Sequence, residues 1–183
     1  MSTAALLDRR SLLAPLTGTV LEIGPGRGVN LPHYRPDVTW IGLEPSRRKH
    51  GSIRAAARRT QRAITLHDGV AEAIPLPDAS VDAVVSTFVL CSVADPERAL
   101  TEIRRVLRPG AGFVFLEHVG PPPGSASRRV MDAWARLQIG YCRPNRDTAE
   151  TLERAGFATL RLRDDVTRPL GLTVPIIRGT ATR

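Results

Sequence analysis

The sequence predicts an α/β fold in three layers, with a seven-stranded, mostly parallel sheet that closes in an antiparallel hairpin. Three observations carry that reading. Short β-branched runs alternate with helical patterns from residue 19 to residue 116. Those runs are nearly continuous in apolar residues, as strands covered on both faces require. The last two strand-like runs follow one another with no helical pattern between them, which suits an antiparallel pair. At 183 residues the chain has the length of one domain, and residues 1–183 are read as one.

Each element has its own signal. Thr19–Ile23 is short, β-branched and runs into a glycine cluster. Thr39–Leu43 follows a Pro-containing segment, and Ala63–Leu66 is third. Val81–Thr87 is a stronger fourth run and Phe113–Leu116 the fifth. Residues Arg47–Arg62 carry a helical pattern. Asp95–Leu107 carries another, with Asp95 as N-cap, Pro96 at the first helical position, and a stripe of Leu100, Ile103 and Leu107. Arg108-Pro109-Gly110 turns that helix into the fifth strand. Pro121 to Ser125 is a stiff-then-flexible connector, leading to a helix with Val130, Trp134 and Leu137 on one face. The next helix starts at Asp147, where Asp147-x-x-Glu150 fits a capping box, and stops at Gly156. Ala158–Arg163 and Thr173–Thr180 form the closing hairpin.

Composition narrows the class. Apolar residues make up 42% of the chain and charged residues 24%, an ordinary soluble balance. Aromatics are only 4%, so the core rests on Leu, Val, Ile and Ala. No apolar run reaches the roughly 18 residues of a membrane span, and Asp8, Arg9 and Arg10 interrupt the N-terminal apolar stretch. A cytoplasmic location is the expectation. The formal charge is +8, but Lys49 is the single lysine among 26 basic residues, a bias that points to GC-rich coding more than to a polyanion partner. Arg47, Arg48, Arg54, Arg58, Arg59 and Arg62 share one helix and read as a solvated face. No aromatics interleave with them, so nucleic acid is not the expected partner; contact with an anionic membrane surface stays open. Cys91 and Cys142 have neither metal-ligand spacing nor a disulfide framework, so free thiols and no metal are expected.

The sharpest local signal is Val20-Leu-Glu-Ile-Gly-Pro-Gly-Arg-Gly-Val-Asn30. Closely spaced glycines after a strand let backbone approach a ligand where a side chain would collide. Val29 stands where a dinucleotide fingerprint has its third glycine, which disfavours a nicotinamide cofactor. Glu44, twenty residues beyond Gly24, ends the second strand, where a carboxylate can accept both hydroxyls of a ribose. Glu22 is a strand acid with no evident structural partner, read as an anchor for the glycine loop or for a ligand ammonium.

Together these features resemble the class I S-adenosylmethionine-dependent methyltransferases, from about Leu16 to the C-terminus. Glu22-Ile-Gly-Pro-Gly-Arg-Gly28 looks like the first motif, which assigns Glu22, Gly24, Pro25, Gly26, Gly28 and Asn30 to the methionine part of the cofactor. Glu44, followed by Pro45, matches the ribose acid. Gly69 to Asp82 looks like the adenine loop; Val70 stands where many relatives place an Asp, so backbone at Val70 and Ala71 would hold adenine, with Glu72 beside them. Leu107-Arg-Pro-Gly110 matches the turn before the fifth strand, and Thr87 and Phe88 complete the cofactor set. The resemblance implies a Rossmann-like methyltransferase fold, S-adenosylmethionine as cofactor and S-adenosylhomocysteine as product.

A narrower resemblance rests on Thr87-Phe-Val-Leu-Cys-Ser-Val93, Leu107-Arg-Pro-Gly110, Leu116-Glu-His-Val119 and Arg146-Asp-Thr148. These are similar to the animal alkyl thiol methyltransferases and their bacterial relatives, which implies a small, largely apolar acceptor: a thiol, hydroxyl or amine. The animal proteins begin with an apolar anchor, whereas this chain reaches its first strand at Thr19. Methyl transfer from a sulfonium is an in-line displacement that rests largely on positioning; a base is needed only for an acceptor that arrives protonated. His118, at the end of the fifth strand, and Asp147 are the catalytic candidates. Cys91 follows the fourth strand and is the further nucleophile to weigh, while His33, Tyr34 and Tyr141 are candidates to line the acceptor pocket. RNA or a phospholipid headgroup is the alternative acceptor, and a non-catalytic cofactor-binding module the alternative class.

Overall fold

In the computed structural model, residues 9–122, 124–136, 142–143, 145–167 and 174–183 are described. In chain order they form α1 (Arg9–Leu13), β1 (Thr19–Ile23), a 3₁₀ turn (Leu31–His33), β2 (Thr39–Leu43), α2 (Arg47–Arg59), β3 (Ile64–His67) and β4 (Val81–Thr87). Then come α3 (Pro96–Val106), β5 (Leu107–His118), α4 (Ala126–Arg136), α5 (Thr148–Arg154), β6 (Thr159–Thr167) and β7 (Val174–Thr182). The seven strands form one sheet in the order β3-β2-β1-β4-β5-β7-β6. The first five are parallel, with Val20 opposite both Trp40 and Ala83, and Val84 opposite Phe113. β7 runs antiparallel to β5 and β6, closing the sheet as expected. The order reverses between β1 and β4, and at such a switch point the C-terminal strand ends leave a crevice for a ligand.

Strand alternation sorts the core into two layers. Leu21, Ile23, Val84, Phe113 and Phe115 meet α3 and α5 through Leu100, Ile103 and Leu152. On the other face Val20, Trp40, Val85 and Val114 meet Leu13 of α1 and Ile53 of α2. The exposed side of α2 carries Arg47, Arg48, Arg54, Arg58 and Arg59; Arg62, expected on the same face, instead donates to the carbonyls of Tyr34, Arg35 and Val38. Among the described residues no helix is long and apolar enough to cross a membrane.

Several boundaries move, each for a local reason. α2 stops at Arg59, where Thr60 caps it and Gln61 takes φ +50°. The Asp95 carboxylate caps α3 as expected, accepting from Arg98 N–H at 3.0 Å. Leu107, expected as the last rung of that helix, pairs with Val81 as the first residue of β5. Arg108-Pro109-Gly110 is therefore a bulge inside a long strand, with Gly110 at φ +78°. Val130 of α4 is 67% exposed and faces no core; the Trp134 side chain, Leu137, Tyr141 and Thr173 lie outside the described residues. Asp147 precedes α5, yet its side chain makes no capping bond. Its partner in the expected box, Glu150, pairs with Arg154 one turn on.

Candidate functional site

The glycine loop sits at the switch point. Gly26 has φ +59°, a left-handed conformation that favours glycine. A Cβ built there would meet nothing nearer than the Gly24 carbonyl at 4.0 Å, so the residue faces free space. Gly24 is constrained differently: a Cβ there would lie 2.6 Å from Val89 Cγ2, because the turn after β4 packs onto the loop. Glu44, at 1% exposure, braces the loop from β2. Its Oε2 accepts from Gly26 N–H at 3.0 Å and its Oε1 from Ser46 N–H at 3.0 Å, with Lys49 Nζ 3.4 Å from Oε1. A carboxylate has about four lone-pair sites, so acceptor capacity is left for a ribose. Pro45 is exposed beside it.

Glu22 has the structural partners that its sequence position does not reveal. Fully buried, it accepts from Asn30 Nδ2 at 2.8 Å, Tyr34 Oη at 2.9 Å and Trp40 Nε1 at 3.0 Å. Burial raises its pKa above the ordinary value, and those three donors pull against that shift. Tyr34 is thereby a core residue at 5% exposure, not a pocket wall. Asn30 spends its other amide hydrogen on Thr87 Oγ1 at 3.0 Å. Its Oδ1 is buried with no partner, an acceptor at the base of the loop that suits a donor on a bound ligand.

The third loop of the crevice follows β3. Val70 is 46% exposed and Ala71 buried next to it. Glu72 is occupied elsewhere: its carboxylate accepts from the N–H groups of Ala94 and Asp95 ahead of α3.

At the ends of β4 and β5 the backbone is held under strain. Phe88 has φ +59°, an outlier for a bulky residue. Its N–H donates to Leu116 C=O at 2.8 Å, and its ring lies 4.5 Å from that of His118. Glu117, which sequence reasoning missed, locks the same turn. It is fully buried and accepts from Ser86 Oγ and from Val89 and Leu90 N–H; burial pushes its pKa up to about 7. The available signal was an acid directly after the buried run Phe113–Leu116, which must find partners.

The same corner gathers Cys91, Cys142 and His118. A separation of 51 residues hides the cysteine pair in the sequence, but their Sγ atoms lie 3.3 Å apart. His118 Nδ1 is 3.6 Å from each sulfur. The thiol contact lowers the pKa of half-exposed Cys142, whereas that contact and burial push up Cys91. Asp147 is exposed near this cluster: the Oγ1 of its neighbour Thr148 donates to His118 C=O at 3.0 Å. His33 lies in the 3₁₀ turn, outside it. Arg143, next to Cys142, lines a cavity of about 300 Å³ with Asp132, Ala135 and Asn145. A second cavity, of about 410 Å³, runs along Arg47, His50, Arg54 and Asp68; the glycine loop lines neither.

A sheet of this order, with a braced glycine loop at its switch point and an acid ending β2, defines a Rossmann-like S-adenosylmethionine-dependent methyltransferase. The chain belongs to the methyltransferase-domain family, which matches residues 21–115. It is 37% identical over 173 residues to thiol S-methyltransferase TMT1A of Homo sapiens, covering 90% of this chain and 70% of that protein. Against thiol S-methyltransferase TMT1B of Rattus norvegicus it is 36% identical over 151 residues, 79% of this chain and 62% of that one. A putative methyltransferase of Bacillus halodurans C-125 shares the fold at TM-score 0.76 and 15% identity, covering 99% of this chain and 98% of that structure. The methyl donor is S-adenosylmethionine, and the fit is visible in the free space at Gly26 and the orphaned Asn30 Oδ1.

Proposed function

We propose that this enzyme methylates the sulfur of a small, largely apolar thiol in the cytoplasm. The observation that carries the reading is the likeness, over 90% of the chain, to a protein named as a thiol S-methyltransferase. The half-buried corner at the ends of β4 and β5 supports it. When bound, S-adenosylmethionine supplies an electrophilic methyl on a sulfonium.

The residues divide by what they offer. Gly24, Pro25, Gly26 and Gly28 give a loop that backbone alone can present, and Glu22 and Asn30 brace it from below. Glu44, with Pro45 beside it, takes the ribose hydroxyls; Val70 and Ala71 cover adenine, while the Glu72 carboxylate stays with the start of α3. Thr87 and Phe88 close the cofactor end toward the acceptor. His118 faces the acceptor sulfur, and Asp147 stands at the rim. S-Adenosylhomocysteine release is the test, measured against a matched alkyl thiol, phenol and primary amine. Turnover of the thiol well above the other two is expected. Equal or greater turnover of the phenol or amine would overturn the reading.

A further inference from the structure

We propose that Cys91, Cys142 and His118 bind one zinc ion through two thiolates and an imidazole, and that its fourth position takes the sulfur of the acceptor. All three ligand atoms lie within 4.8 Å of one another. Tetrahedral zinc, with Zn–S of about 2.3 Å and Zn–N of about 2.05 Å, sets sulfur and nitrogen about 3.55 Å apart and the two sulfurs about 3.8 Å apart. Both S···N distances, at 3.6 Å, already match. The sulfurs, at 3.3 Å, need to part by about half an ångström. A disulfide demands the opposite movement, closure to about 2.05 Å, which is more than twice as large.

The three segments that carry the ligands are tied together independently of any ion. Arg143 N–H donates to Cys91 C=O at 2.8 Å, and Gly120 N–H to Arg146 C=O at 2.7 Å. Thr148 Oγ1 donates to His118 C=O, and Glu117 holds the turn that leads to Cys91. Such outer bonds orient metal ligands before the ion arrives. Cys91 is buried whereas Cys142 and His118 are half-buried, so the triangle has a closed back and an accessible side. Two soft sulfurs and an imidazole select zinc among common divalent ions, and three protein ligands leave a position for an outside one.

The role of that position rests on the thiol reading. An acceptor thiol displaces water there and releases its proton to solvent, leaving its sulfur as a thiolate. A lone pair of that sulfur forms the new S–CH₃ bond while the bond from methyl to the sulfonium breaks. The cation leaves as neutral S-adenosylhomocysteine, and the methyl thioether, a weak ligand, departs. His118 acts here as a ligand in place of a base.

Metal-stripped protein titrated with cobalt(II) chloride tests the site without any turnover. One ion per chain is expected, with a thiolate-to-cobalt charge-transfer band that shifts when a small alkyl thiol is added. Cys142→Ser, checked as folded by its circular dichroism, should bind at least a hundredfold more weakly. Zinc chloride should compete for the same site and restore thiol turnover to the stripped enzyme. Binding that is not stoichiometric overturns the site, as does a Cys91–Cys142 disulfide in protein isolated with its thiols blocked. Full thiol turnover in stripped enzyme overturns the role. Zinc bound at one per chain with no thiol methylated leaves the metal site standing and overturns the acceptor reading beneath it.

Discussion

Glu44→Gln separates the two tasks given to one carboxylate. In the native protein each oxygen accepts a backbone N–H at 3.0 Å, from Gly26 and from Ser46, in a side chain that is 2% exposed. A glutamine of the same shape must turn its NH₂ toward one of those donors. One charge-assisted bond is lost and one N–H is left buried without an acceptor, a cost of about 2–3 kcal/mol. For a chain of this size each kcal/mol moves the melting point by about 2–4 °C, so Tm of the cofactor-free variant should fall by about 4–12 °C. Removing the charged acceptor from the ribose adds its own loss of about 1.5–3 kcal/mol, or roughly tenfold to a hundredfold in Kd for S-adenosylhomocysteine. Thermal melts without cofactor and calorimetry with it read the two effects apart. An unchanged Tm would refute the brace on the glycine loop. A lowered Tm with Kd within twofold of wild type would confine Glu44 to that brace and refute the ribose assignment.

Gly26→Ala meets no atom nearer than 4.0 Å but must hold φ +59°, so it should fold with a loss of about 1–2 kcal/mol. Calorimetry should find S-adenosylhomocysteine affinity down at least tenfold; native affinity would mean that no cofactor approaches this backbone. Trp40→Phe removes one of the three donors on Glu22 and leaves a void, and should cost about 2–4 kcal/mol in urea unfolding at constant m. A loss below about 0.5 kcal/mol would refute the network. The pKa of Glu22 is raised in the fold above its ordinary 4.5, so the folded state holds that proton more tightly than the unfolded chain. Its contribution is fully present below pH 4.5 and is lost as pH rises through the folded value. Wild type should therefore lose stability relative to Glu22→Gln over that rise and then level off; a relative gain would reverse the sign and sink the assignment.

What the sequence made legible was local. Each parallel strand is marked by a short apolar run, buried in all but β3, and Asp95-Pro96 marks a helix start whose capping bond is there at 3.0 Å. The failures share a cause. Leu107 fits the last turn of a helix because its partner, Val81, is remote in sequence. The box at Asp147 does not form: its side chain makes no capping bond, and Glu150 pairs with Arg154 one turn on. Glu22 looked unpartnered because Trp40 and Tyr34 reach it from β2 and the segment before it, and alternation alone cannot say that three donors converge on one face. For the cofactor, the glycine spacing and the acid at the end of β2 sufficed to nominate a site. For the corner of Cys91, His118 and Cys142 nothing local exists, since the three meet only once β4 and β5 lie side by side and Cys142 is brought to their ends.

Phe88 links the glycine loop to the corner of Cys91, His118 and Cys142. A bulky residue at φ +59° stores on the order of 1–3 kcal/mol and persists only where its surroundings over-determine it. Here they do: Leu116 C=O takes the Phe88 N–H, and Glu117 takes the next two, from Val89 and Leu90. The strained turn points Val89 into the space that Gly24 leaves free and delivers Cys91 to Cys142. A relaxed turn would release both contacts at once. The glycine loop and the Cys91–His118–Cys142 corner thus share one short segment, fixed by the buried Glu117 carboxylate.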